Sequence, residues 1–75
     1  MENKIIGKTI KRFREEKGIS QEVLSGLAVI DRSHLSKIEL GLRSPTVTVL
    51  YKIARALEIP ASDILKFAES ELIND

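Results

Sequence analysis

The sequence predicts an all-α fold, a compact domain of five helices. Two features of its 75 residues favour this class. Apolar residues recur every three or four positions through successive segments, which is the period of a helix with one buried face. Gly, Pro or a capping Ser, Thr or Asp separates these segments, and no repeat or low-complexity tract interrupts them. We therefore expect residues 1–75 to form a single domain.

The first helix is predicted over residues 4–17 and ends at Gly18, a residue type that accepts the left-handed conformation common after helices. Ser20 is placed to cap the second helix, with the acid Glu22 in its first turn. Asp31 is the corresponding cap of the third helix. The expected inward-facing apolar residues are Ile6, Ile10 and Phe13 in the first helix, Leu24, Leu27 and Ala28 in the second, and Leu35 and Ile38 in the third.

Two further helices complete the predicted fold. Gly41 ends the third helix and Thr46 caps the fourth. The β-branched run 47–49 would also suit a strand, but the helical period that follows outweighs it. Pro60 begins the fifth helix, which we expect over about residues 61–73. The apolar stripes are Val49, Leu50, Ile53, Ala54 and Leu57 in the fourth helix, and Ile64, Leu65, Ala68 and Leu72 in the fifth.

Charge is distributed unevenly along the chain. The net charge is only +1, but residues 1–57 hold eleven Lys and Arg against six acids, and residues 58–75 hold one Lys against five acids. The first part therefore carries +5 and the tail −4. This asymmetry favours a body that binds a polyanion and a tail that faces another surface, such as a second copy of the chain.

The composition argues against several function classes. With no cysteine there is neither a disulfide framework nor a thiolate metal site, which fits a reducing cytoplasm. No apolar run is long enough for a membrane span or a signal peptide. The sequence has one histidine, and it shows no Gly-rich phosphate loop, H-E-x-x-H pattern or paired-acid arrangement. We expect a cytoplasmic protein that has no enzyme activity, cofactor, metal or small-molecule substrate.

The second and third predicted helices form a helical hairpin of a kind that can bind DNA. They are short, a tight turn joins them, and the third shows small polar and basic residues outward. A helix presented in this way can enter the major groove of DNA. The stretch 21–41, followed by Arg43-Ser44-Pro45-Thr46, resembles the Cro/phage-repressor (XRE) helix-turn-helix family without gaps.

The similarity extends over about residues 6–65 and implies a λ-repressor-like domain whose helix-turn-helix motif covers about residues 21–40. Three positions depart from the family pattern. Ser25 stands where Ala is usual, Val29 where the turn is commonly Gly, and Leu40 where a polar residue often contacts phosphate. A left-handed Val29 would be strained by about 1–2 kcal/mol. The remaining residues that carry the resemblance are Leu24, Ala28, Ile30, Leu35 and Ile38 in the motif and Leu57, Ile59, Ile64 and Leu65 beyond it.

The resemblance implies a DNA-binding site on the third helix. Arg32, Ser33 and Lys37 align with base-reading positions, and His34 and Ser36 lie beside them. Arg and Lys donate hydrogen bonds to guanine, which suits this role, whereas solvated surface residues are the alternative for each of the five. Gln21 matches a family position that binds a phosphate, and Arg43, in the loop before the fourth helix, is a second phosphate candidate.

Two structural interactions follow from the same resemblance. Arg14 and Glu39 match a mostly buried ion pair that ties the first helix to the third. The fifth helix is expected to mediate homodimerisation, although its apolar residues could instead pack on the domain. The predicted dimerisation residues are Leu65, Phe67, Ala68, Leu72 and Ile73.

These observations predict a sequence-specific DNA-binding transcriptional regulator, a repressor or autoregulator that binds an inverted repeat in double-stranded DNA as a homodimer. A protein antagonist or the protein's own concentration would regulate it. The size of the chain suits a restriction-modification controller protein, and the antitoxins are another short subclass. The alternative is a protein-interaction module of the same fold with weak DNA binding, which the unusual Val29 and Leu40 favour.

Overall fold

The computed structural model describes residues 3–74, with side chains through Ile73. Its elements are α1 (Asn3–Lys17), α2 (Gln21–Ala28), α3 (Arg32–Glu39), α4 (Val47–Ala56) and α5 (Ala61–Asn74). No strand occurs within these described residues, which confirms the predicted all-α class and the order of five helices. Within the same part of the chain, no helix is both long enough and apolar enough to cross a lipid bilayer.

Side-chain caps begin two of the helices as predicted. Ser20 Oγ accepts the Val23 N–H at 3.1 Å, and Thr46 Oγ1 accepts the Val49 N–H at the same distance. Asp31 occupies the corresponding position before α3, but its side chain accepts no capping hydrogen bond. The predicted cap of α3 is therefore correct in position only.

The core draws on every helix. The largest fully buried side chains are Ile10, Leu24, Leu35, Ile38, Ile53 and Ile64. Leu27, predicted to face inward, is 59% exposed because the buried side of α2 runs from Leu24 through Ala28 to Ser25, and Leu27 lies outside this arc. The hydroxyl of Ser25 donates to the Glu22 carbonyl at 3.1 Å, so this small polar residue is buried without an unpaired group. Ser25 thus fills the inter-helix position at little cost.

The N-terminal half of α1 crosses the end of α3 at very short range. A Cβ atom at Gly7 would overlap the carbonyl oxygen of Ile38 and would lie 2.8 Å from that of Glu39. At Gly41, whose φ is +78°, a Cβ would lie 2.6 Å from Cγ of Lys4. Glycine at these two positions therefore sets how closely the two helices approach. Gly7 carries no periodic or capping signal, and the sequence reasoning did not single it out.

Two residues other than glycine adopt left-handed backbone conformations. Val29, which follows α2, has φ +57° and ψ +50°, the conformation anticipated for this turn. Glu58, which follows α4, has φ +61° and accepts a hydrogen bond from Lys17 Nζ at 2.6 Å. That hydrogen bond lowers the pKa of the Glu58 carboxyl. The stabilisation it provides is therefore present above the ordinary pKa of a glutamate and is lost as the pH falls through the lowered value.

Val29→Gly is expected to raise the free energy of unfolding by about 1 kcal/mol. The Val29 side chain is 77% exposed, so its removal sacrifices little packing, while glycine relieves the left-handed strain. Urea denaturation measures the effect. The matched control is Val23→Gly, in the helical part of α2, which should destabilise the domain. A lower stability for Val29→Gly would show that the valine is not strained in this turn.

Candidate nucleic-acid interface

The outward face of α3 is polar at its centre. The buried side chains of this helix are Leu35, Ile38 and Glu39. The helical period places Ser33 and Lys37 on the opposite side, with the half-buried Ser36 beside them. Leu40, which is 63% exposed, continues this face at its C-terminal end. The structure thus groups three of the residues predicted to bind DNA, Ser33, Ser36 and Lys37, on one open surface.

The other two residues of α3 predicted to bind DNA flank this face. Arg32 is exposed and is the first residue of α3, where a side chain projects from the beginning of the helix. His34 is half-buried and lines a shallow depression together with Val29 and Asp31. His34 therefore lies toward the turn between α2 and α3, at the edge of the polar face.

The residues predicted to contact phosphate surround the C-terminal end of α3. Arg43 is exposed in the loop that follows Gly41. Gln21, the first residue of α2, donates from Nε2 to Glu39 Oε1 at 2.9 Å. One of its two amide hydrogens is therefore already bonded within the protein, and the second is left for another acceptor. The sequence reasoning did not anticipate the contact between Gln21 and Glu39.

Glu39 is the acceptor around which these elements meet. Arg14 Nε donates to Glu39 Oε2 at 2.8 Å and Arg14 Nη2 donates to Oε1 at 3.0 Å, the bidentate geometry that arginine and carboxylate favour. The side chains are 11% and 2% exposed, respectively. Arg14 Nη1 also donates to the Ile19 carbonyl at 2.9 Å, and the hydrogen bond to Glu39 raises the pKa of the guanidinium. One arginine therefore joins α1, the loop before α2 and the end of α3.

A second exposed feature lies away from α3. An apolar groove of about 860 Å³ runs between α4 and α5. Val47 and Tyr51 on α4 are 70% and 62% exposed, and Leu65 on α5 is 36% exposed. These three side chains, together with Ile59 and Pro60 from the turn, line the groove. Apolar side chains presented together in this way form a surface suited to a protein partner.

The structure divides the residues predicted for dimerisation. Ala68 is fully buried against the core, so its assignment to an intermolecular surface is wrong. Phe67 packs edge-on against Phe13, with ring centroids 5.2 Å apart, and the Arg12 guanidinium lies 5.7 Å from its ring centroid. Leu65 lines the groove, whereas Leu72 and Ile73 are exposed near the end of α5. The stripe predicted for α5 is thus buried at Ile64 and Ala68 alone, because only those positions face the body.

The described residues 3–74 contain no group of three or more His, Asp or Glu side chains arranged to hold a metal ion. The polar surface of α3 and the apolar groove are two exposed features of these residues that suit a binding partner.

Removal of either partner of the Arg14–Glu39 pair is expected to cost about 3 kcal/mol of stability, because the remaining charge is left buried. Arg14→Met and Glu39→Met should each be less stable than the double variant. The exposed pair of Arg12 and Glu16, whose side chains are both 60% exposed, is the control and should show a coupling energy below about 0.5 kcal/mol. Additive losses at Arg14 and Glu39 in a double-mutant cycle would contradict the geometry.

Comparison with known proteins assigns the fold to a family. Residues 10–64 match the helix-turn-helix family. The uncharacterised HTH-type transcriptional regulator y4dJ from Sinorhizobium fredii is 39% identical over 56 residues, which cover 75% of this chain and 73% of y4dJ. The transcriptional regulator SinR from Bacillus subtilis is 36% identical over 62 residues. These residues cover 81% of this chain and 56% of the length of SinR.

A solved structure shows the same architecture. The restriction-modification controller protein C.AhdI from Aeromonas hydrophila superposes with a TM-score of 0.81 at 32% sequence identity, over 83% of this chain and 94% of C.AhdI. These relatives are regulators and a controller protein, and none of the three is named as an enzyme. The chain belongs to the helix-turn-helix family of transcriptional regulators of the Cro/phage-repressor (XRE) type, with a helix-turn-helix DNA-binding domain.

Proposed function

We propose that the protein is a sequence-specific transcriptional regulator, a repressor or autoregulator, that binds an inverted repeat in double-stranded DNA as a homodimer. The observation that carries this proposal is the polar outward face of α3, formed by Ser33, Ser36 and Lys37. The network at Glu39 fixes the orientation of this helix. A rigid helix with short polar and long basic side chains on its open face suits the DNA major groove.

Arg32 and Lys37 are the side chains best suited to read bases. Both are exposed, and neither forms an ion pair with a carboxylate of the described chain, so their donors are available. An arginine that pairs with O6 and N7 of guanine discriminates between bases by about 1–3 kcal/mol. Ser33 and Ser36 are short and lie between them on the same face, where a hydroxyl can reach a base edge or a phosphate.

Contacts to the DNA backbone would come from residues near the C-terminal end of α3. Arg43 presents a cation in the loop after this helix, and the beginning of α2 presents backbone N–H groups near the second amide hydrogen of Gln21. Both groups suit a phosphate oxygen. Base recognition would thus occur along the outward face of α3, and phosphate contacts would hold its C-terminal end.

The proposed dimer forms through the apolar groove between α4 and α5. Val47, Tyr51 and Leu65 present uncovered apolar surface on one side of the domain. A second copy supplies a matching apolar surface, since a twofold axis brings the same patch of both chains together. To read an inverted repeat, such a dimer must hold its two α3 helices at half-sites about 34 Å apart on one DNA duplex.

The likeness to C.AhdI favours a restriction-modification controller protein as the subclass. In this proposal the protein acts by occupying its site, and its concentration or a protein antagonist sets the occupancy. Exposed apolar residues on the motif, Leu27 and Val29, favour a second candidate, a protein-interaction module with weak DNA binding. Selection of DNA by the purified protein distinguishes the two functions.

The wild-type protein is expected to enrich an inverted repeat from a pool of random duplexes, at about 150 mM salt with competitor DNA present to suppress non-specific binding. The half-site centres should lie about one helical turn apart. Failure of folded protein to enrich any sequence would reject the proposed function and favour the protein-interaction module.

Three variants test the assigned contacts on the enriched duplex. Arg32→Ala and Lys37→Ala are each expected to weaken binding by about 1–3 kcal/mol and to relax the base preference at their positions. Arg43→Ala should weaken binding to all sequences equally, because a phosphate contact carries no sequence information. Fluorescence anisotropy with the enriched and a scrambled duplex measures both effects. Unchanged affinity in all three variants would rule out these contacts.

A paired substitution tests the dimer surface. Leu65→Glu introduces a charge into the groove, and Ile73→Glu introduces the same charge at the 81% exposed position near the end of α5. Only Leu65→Glu is expected to convert the dimer into a monomer, as measured by sedimentation equilibrium, while circular dichroism shows that both variants fold. Dissociation by Ile73→Glu alone would locate the interface at the end of α5. A monomeric wild-type protein would show that no dimer forms in the absence of DNA.

A further inference from the structure

The N-terminal turn of α1 lies against the loop that follows α3. The stem of Lys4 covers Gly41, where a Cβ atom would lie 2.6 Å from Cγ and 2.8 Å from Cα of Lys4. Gly7, one turn later, abuts the carbonyl groups of Ile38 and Glu39. Two close contacts therefore fix where Lys4 emerges, which is beside the last residues of α3.

Lys4 directs its charge to solvent from this position. The residue is exposed although its stem is packed, which is how long cationic side chains commonly lie on a surface. Among residues 3–74, no carboxylate forms an ion pair with it. The stem of Lys4 is thus held in place against Gly41, and its ammonium group has no acidic partner in the described chain.

The end of α3 needs such a cation if it is to lie near DNA. Leu40, at the C-terminal end of the outward face, offers no polar atom from its side chain. The C-terminal end of a helix also carries partial negative charge, which repels a phosphate. A cation beside Gly41 opposes that repulsion, and the exposed Arg43 lies two residues further along the same loop.

We propose that Lys4 binds a phosphate of the DNA backbone next to the phosphate contacted by Arg43. In this arrangement α1, which lies outside the helix-turn-helix motif, supplies the charge that the end of α3 lacks. This inference rests on the proposed DNA-binding function, since it adds a contact to the same interface.

The test is the salt dependence of DNA affinity for Lys4→Gln, which keeps a long polar side chain and removes the charge. Loss of one phosphate contact should reduce the slope of log K against log salt by about 0.9. Loss of this contact should also weaken binding about eightfold at 100 mM salt, on the enriched and the scrambled duplex alike. Lys4→Arg should retain the wild-type slope. The control is Lys66→Gln on α5, which makes the same charge change at an exposed position and should leave the slope unchanged.

Two results would overturn the inference. One is a wild-type slope for Lys4→Gln, with or without a fall in melting temperature, which would mean that Lys4 only packs on Gly41. The other is an equal loss of slope in Lys66→Gln, which would mean that net charge alone is responsible. Neither result affects the proposed function, which fails separately if the wild-type protein enriches no sequence.

Discussion

The position of α3 depends on a single buried carboxylate. Glu39, the last residue of that helix, accepts two hydrogen bonds from Arg14 and one from Gln21. A carboxylate buried to this extent is tolerated only when its oxygens are paired, so the three helices must meet in one arrangement for the charge to be satisfied. Gly7 makes the arrangement possible, because any side chain there would collide with the carbonyl groups at the end of α3.

This constraint separates the two tasks of the domain. The inner side of α3 is fixed by Leu35, Ile38 and Glu39, so the outer side is free to carry residues chosen for a partner. The residues on that side that we propose to contact DNA are polar or basic, and the apolar groove lies elsewhere, between α4 and α5. The proposed DNA binding and dimerisation would therefore use different side chains. Both surfaces belong to the same domain, so a dimer formed through the groove would set the spacing of its two α3 helices.

The sequence was most informative where local chemistry decides the structure. Helical period and caps located all five helices, and the resemblance anticipated the left-handed turn at Val29. Prediction from the sequence failed where packing between distant segments decides which residues are buried. Leu27 has the spacing of a core residue but is exposed, since α2 turns Ser25 toward its neighbours. Ala68, predicted to lie on a dimer surface, is instead buried against the body of the domain.

The site shows the same division. Motif alignment named the residues on α3, whereas the hydrogen bond from Gln21 to Glu39 depends on how two helices meet and has no local signal. The same is true of Gly7, whose importance comes from a helix more than thirty positions away. The groove between α4 and α5 likewise combines residues from three helices and two connecting segments, since Ile6 of α1 and Pro45 also line it, so no single stripe in the sequence predicts it.

The central claim is that the outward face of α3 is the surface that meets DNA. Nuclear magnetic resonance tests it directly, through the amide chemical shifts of the labelled protein as the enriched duplex is added. The account predicts that the largest changes fall on Arg32, Ser33, Ser36 and Lys37, with further changes at the start of α2 and in the loop around Arg43. Large changes confined to the outer side of α2 or to the groove, with α3 unaffected, would contradict it.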